Sequence, residues 1–207
     1  DSDTSVTSWM VLALKSAEHA GVAVAPSAYE GVRGWLAKVS TSAGTTGYTT
    51  NRNPNQAMSA TGLFLRLTLG EEPTTPMNRA AARLVSRNRL SVAQGSITNL
   101  YGIYYSALAM YQVGGRQWRA FNPKIRDALV TAQHKGSGCE RGSWRGSGHI
   151  GDPVLATTFA TLTLETYYRY LPVHKGTGDE DEAPDLEEDD GPVLSPGETQ
   201  LDVATIA

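Results

Sequence analysis

Residues 100–144 read LYGIYYSALAMYQVGGRQWRAFNPKIRDALVTAQHKGSGCERGSW. The spacing predicts a helix over Leu100–Val113, because Tyr101, Tyr104, Tyr105, Leu108 and Tyr111 recur with the helical period. Ser106, Ala107 and Ala109 fill the remaining positions with small side chains. Such a helix is apolar nearly all round and suits burial on several sides. Gly114-Gly115 ends it. A second helix is expected from Phe121 or Pro123 to Gln133, with Pro123 in the first turn, where a missing N–H costs nothing. Ile125, Ala128, Leu129 and Ala132 form one apolar stripe, and Lys124, Arg126 and Asp127 lie off it. A buried helix followed by a half-exposed one is the unit of a stack of helical hairpins.

The same unit recurs on either side. Buried-type helices are predicted at Thr4–Ala20, Gln56–Leu69 and Pro153–Leu171, and amphipathic ones at Ser27–Val39 and Pro76–Ser86. Asp3 or Thr4 and Asp152 stand where N-caps belong. The inner helices begin near Thr4, Gln56, Ile97 and Pro153, a recurrence of about 41 to 56 residues that marks a repeat architecture. Each hairpin is too small to bury its apolar face alone, so neighbours must stack. Between the helices, Ser40–Asn55 is rich in Ser, Thr, Gly and Asn, and its length predicts a functional or mobile loop, with Arg52 the first site of proteolysis. Arg87–Ser96 reads as another loop.

Gln133, followed after a short loop by Gly142-Ser143-Trp144, resembles the QW motif of squalene-hopene and oxidosqualene cyclases, whose relatives include the protein prenyltransferase β subunits. In that family the glutamine and tryptophan tie the end of an outer helix to the next inner helix. Over roughly Asp3–Pro172 the chain is similar to bacterial proteins carrying prenyltransferase or squalene-cyclase repeats. The resemblance implies an α/α toroid. A full toroid has near six helix pairs, so the expectation is an all-α fold: a partial α/α toroid of about seven helices in residues 1–173. An acidic tail, 174–207, follows as a disordered or extended strap.

The resemblance also nominates chemistry. Asp1 and Asp3 match the first two carboxylates of the DxDD motif of class II cyclases, with Asp3 as the general acid; Thr4 replaces the third. A general acid needs a raised pKa and a supporting charge network, and the competing reading makes Asp3 an N-cap. Zinc, used by the prenyltransferases, requires three or four converging ligands. Cys139, His149 and Asp152 lack that spacing, so no metal or other cofactor is expected. Gly138-Cys139-Glu140-Arg141 likewise lacks the glutamine of a thioester site. Trp9, Tyr101, Tyr104, Tyr105 and Tyr167 fall on inner helices. In a toroid they would line the central cavity, where rings suit isoprenoid cations, apolar peptides or lipids. Alternatively they fill the core.

Charge is unevenly placed. Residues 179–202 hold eleven acids and no Lys or Arg, leaving 18 basic and 10 acidic residues before them, a net of +8. No nucleic-acid-binding signature accompanies that excess, so no specific nucleic-acid partner is expected. No apolar run is long enough to cross a membrane. One cysteine excludes an internal disulfide, and no nucleophile elbow or phosphate loop is present. The expected function is a non-catalytic repeat module of a larger protein that binds a protein, peptide or apolar ligand on its concave face. The alternative is a degenerate class II terpene cyclase half using Asp3.

Overall fold

In the computed structural model, residues 2–169 are described, with the helical backbone alone for 167–169. Asp1, the side chain of Tyr167 and the acidic tail lie outside the described residues. Seven α-helices build the described residues: α1 (Thr4–His19), α2 (Pro26–Val39), α3 (Gln56–Thr68), α4 (Pro76–Val85), α5 (Leu100–Val113), α6 (Gly115–Ala132) and α7 (Pro153–Arg169). The fold is all-α, with one short antiparallel ribbon between α4 and α5, β1 (Val92–Ala93) and β2 (Ser96–Ile97).

Local chemistry sets the helix starts. The side chains of Asp3, Asn55 and Thr75 accept amides of the first turns of α1, α3 and α4, and Asp152 accepts the amides of Val154 and Leu155 at the head of α7. Each cap satisfies donors that have no partner inside the helix. Pro26 and Pro76 occupy first turns.

Helices α1, α3, α5 and α7 form the inner row, each packed on the next, and the broadest contact is α3 on α5. The outer helices α2 and α4 each lean on the inner helices before and after them, and α6 leans on α5. Burial follows this order. Every residue from Met58 to Thr68 of α3 is buried, whereas α6 buries the single stripe Trp118, Phe121, Ile125 and Leu129.

Three expectations need correction. Helix α6 starts at Gly115, not near Pro123, and Pro123 sits inside it. Gly114, with φ of +67°, turns the chain so sharply that a new helix begins at once. Trp118 and Phe121 then anchor the two turns before the proline, and this tertiary burial overrides its breaking tendency. The loop after α2 is also not uniformly mobile. Its first half is pinned: the Thr46 amide donates to the Ser59 hydroxyl (3.1 Å), and the Thr4 hydroxyl donates to the Gly47 carbonyl (2.8 Å). Thr46 is fully buried against Gly62 of α3, where an added Cβ would lie 2.2 Å from its Oγ1. Only the second half, Tyr48–Asn55, is exposed throughout. The stretch read as a loop before α5 contains the β1–β2 ribbon. Ile97 extends it by donating its amide to the Arg145 carbonyl (2.8 Å) of the next repeat's loop.

Candidate ligand-binding cavity

Helices α1, α3 and α5 bring their N-terminal ends to one side of the molecule. There, together with the loops that lead into the inner helices, they enclose a cavity of about 610 Å3. Its walls are largely apolar: Ala57 and Met58 from α3, Leu100 and Ile103 from α5, and Ile150 from a single 3-10 turn, Gly148–Ile150. Polar side chains come from nine of the sixteen lining residues. Ser5, Tyr48, Gln56, Tyr101 and His149 supply hydroxyls, an amide and an imidazole. Among the lining residues there is no Asp, Glu, Lys or Arg. Several lining polar groups are already paired: Tyr101 donates its hydroxyl hydrogen to Ser5 (2.8 Å), Asn88 donates to Ser106, and Asn99 bridges Arg89 and Ser91.

Tyr101 forms the boundary between this cavity and a cluster of rings. Trp9 stacks on Tyr104 at 6.1 Å, and Tyr101 lies 4.9 Å from Tyr105. Phe159 of α7 closes the group at 5.5 Å from Tyr104 and 6.2 Å from Trp9. Tyr104 and Tyr105 are buried by their neighbours, so at these two positions the inner face is packed core and not an open aromatic wall. Burial pushes the Tyr105 hydroxyl's pKa well above the ordinary tyrosine range, and that hydroxyl shares a hydrogen bond with Ser8 (2.7 Å). Of the nominated ring residues, Tyr101 lines the cavity; Trp9, Tyr104 and Tyr105 do not.

Asp3 is placed at the head of α1, where Oδ1 accepts the Val6 amide at 2.8 Å. A hydrogen bond to Asp3 is the main cause of a raised Tyr48 pKa, which puts Asp3 beside that rim tyrosine. Thr4, which stands where the DxDD motif has its third carboxylate, is fully buried, and its amide and hydroxyl hold the Tyr48 and Gly47 carbonyls. Asp3 thus serves helix start and loop together. Among the described residues no three His, Cys, Asp or Glu side chains converge as a metal site. Cys139 is free and exposed.

The clasp residues do come together. Gln133 donates its side-chain amide to the Gly142 carbonyl (2.9 Å), and Gly142 itself takes a φ of +85° that favours glycine. Trp144 is buried; its indole donates to the Leu129 carbonyl near the end of α6 (2.8 Å), and its backbone amide donates to the Thr157 hydroxyl of α7 (3.2 Å). The clasp joins α6 to α7 and holds the loop that delivers Gly148–Ile150 to the cavity.

Sequence reasoning missed most cavity residues: Ser5, Tyr48, Gln56, Ala57, His149 and Ile150. The usable signal was the repeat itself. Residues at the heads of successive inner helices must share one end of the stack, and Ser5, Ala57 and Tyr101 are such residues.

Comparison with family models, curated proteins and solved structures gave no match to this chain. No helix among the described residues is long and apolar enough to cross a membrane.

Proposed function

We propose that the chain is a non-catalytic helical-hairpin repeat module of the α/α-toroid type that binds an apolar ligand in the cavity at the heads of α1, α3 and α5. The observation that carries this reading is the cavity: about 610 Å3, preformed, with a lining surface more apolar than polar and edged by polar side chains. That size and character match small-molecule sites in general. The alternation of buried and half-exposed helices and the Gln133–Gly142–Trp144 clasp support the toroid type. The filled aromatic face supports the end of the stack, not its middle, as the place of binding. The engagement of Asp3 as cap and loop anchor favours a binding role over cyclase chemistry.

A neutral fluorophore, N-phenyl-1-naphthylamine, tests the reading. Burying about 200 Å2 of ring surface is worth about 5 kcal/mol before the costs of association, so saturable one-site binding on the order of 0.1 mM or weaker is expected. Gln56 is exposed at the mouth, and Gln56→Trp should abolish binding without altering the far-ultraviolet circular dichroism. Undiminished binding by that variant would place the probe elsewhere and overturn the reading.

A further inference from the structure

We infer that the cavity selects ligands with a carboxylate head and an apolar body, the chemistry of a medium-chain monocarboxylic acid; this rests on the binding reading above. Partly exposed Ala57, Tyr101 and Ile150 carry the apolar surface that a ligand can cover, backed by buried Met58, Leu100 and Ile103. A hydrocarbon body gains by leaving water there.

The polar edge sets the head group. The lining holds no Asp, Glu, Lys or Arg, so no ion pair decides the head group, and the choice falls to hydrogen-bond donors and backbone dipoles. Asp3, the acid near the rim, is turned to the Val6 amide and the Tyr48 hydroxyl. Two lining side chains, Gln56 and His149, make no hydrogen bond to the described residues and stand exposed at the mouth. They come from different elements, the first turn of α3 and the 3-10 turn. The Gln56 amide donates, and imidazole carries an N–H donor in either protonation state. A carboxylate accepts several hydrogen bonds and donates none, so it suits a mouth that offers two free donors, and charge-assisted bonds of that kind are the stronger ones. The N-terminal ends of α3 and α5 open on the same cavity and add a field that favours negative charge. A hydroxyl or ammonium head group gains less from each of these features.

The test compares octanoate, octan-1-ol and octylamine on the full chain by calorimetry and by displacement of N-phenyl-1-naphthylamine. Octanoate should bind at least about tenfold more tightly than octan-1-ol, the difference that one charge-assisted hydrogen bond supplies, and octylamine most weakly. His149→Leu should bring octanoate to within about twofold of octan-1-ol, with the far-ultraviolet circular dichroism unaltered; an octanoate preference that stays tenfold or more would overturn the role of His149 as head-group donor. Equal affinity for octanoate and octan-1-ol, or preference for octylamine, would overturn the carboxylate inference and leave the cavity reading intact. Failure of all three, and of the neutral fluorophore, would overturn both.

Discussion

Replacing Trp144 with alanine should remove the joint between the last two helices. Trp144 is 4% exposed, with its indole bonded to α6 and its backbone amide to α7. Truncating a buried tryptophan to alanine costs about 3–5 kcal/mol through lost transfer energy and the cavity left behind. The indole also donates to the Leu129 carbonyl at 2.8 Å, and leaving that buried acceptor without a partner accounts for about 1 kcal/mol or more of the loss. Trp144→Phe keeps most of the volume and loses the indole hydrogen bond, so its cost should be about 1–2 kcal/mol. A single domain has only about 5–15 kcal/mol of net stability; the alanine variant should therefore unfold at much lower urea concentration, and the phenylalanine variant should fall between. Because the clasp also steadies the loop carrying His149, amide exchange in residues 146–151 should quicken in Trp144→Ala more than in α3. A loss below about 1 kcal/mol, or equal losses for the two variants, would refute the reasoning that Trp144 is a buried, hydrogen-bonded joint.

Gly62→Ala should destabilise by about 1–3 kcal/mol, since the new methyl meets Thr46 and must push the pinned loop outward; limited proteolysis should then extend from Tyr48–Asn55 into residues 40–47, whereas the unaltered chain is cut near Arg52 first. Arg66→Met should cost about 1–3 kcal/mol by stranding Asn78 Oδ1, which accepts from the buried guanidinium at 2.7 Å, while Ser40, which accepts at 3.2 Å, keeps Thr46 as partner; a neutral result in thermal unfolding would show that the apolar isostere replaces this network. Asp3→Ala should cost about 1 kcal/mol and Asp3→Asn much less, because asparagine also caps; equal losses would mean that charge, not capping, is the role of Asp3. Tyr105 has a raised folded pKa, so its contribution to stability is complete below the unfolded value near about 10 and is lost as pH rises above it. Tyr105→Phe should flatten that alkaline decline, and an unchanged slope would count against the buried phenol.

Helix order was legible in the sequence because inner and outer helices carry different patterns. Leu100–Val113 is large or small but apolar all round, and α2 shows apolar residues on one face only. The caps at Asp3 and Asp152 were legible for the same local reason. Helix α6 was misjudged at its start because Pro123 is a strong local signal, while the burial of Trp118 and Phe121 is decided by tertiary packing. The loop before α3 was misjudged because Thr46 and Gly62 are distant in sequence and neither is distinctive alone. The ribbon before α5 was missed because its turn uses Gln94 at φ of +51°, an uncommon residue for that backbone. The ring cluster was visible in part: the tyrosines stood out, but Phe159, which shuts them in, sits in a run of alanines and threonines. The cavity was the least legible feature. Its walls come from six separate stretches, and none of them carries a motif.

The binding claim is tested most directly by methyl-resolved NMR of the chain titrated with N-phenyl-1-naphthylamine. The account predicts saturable shifts at Met58, Ile103 and Ile150, which line the cavity, with Gln56→Trp removing them. Met10 and Val6 offer an apolar surface away from it, 55% and 54% exposed on α1. Shifts confined to Met10 and Val6, with the cavity methyls unmoved, would contradict the account.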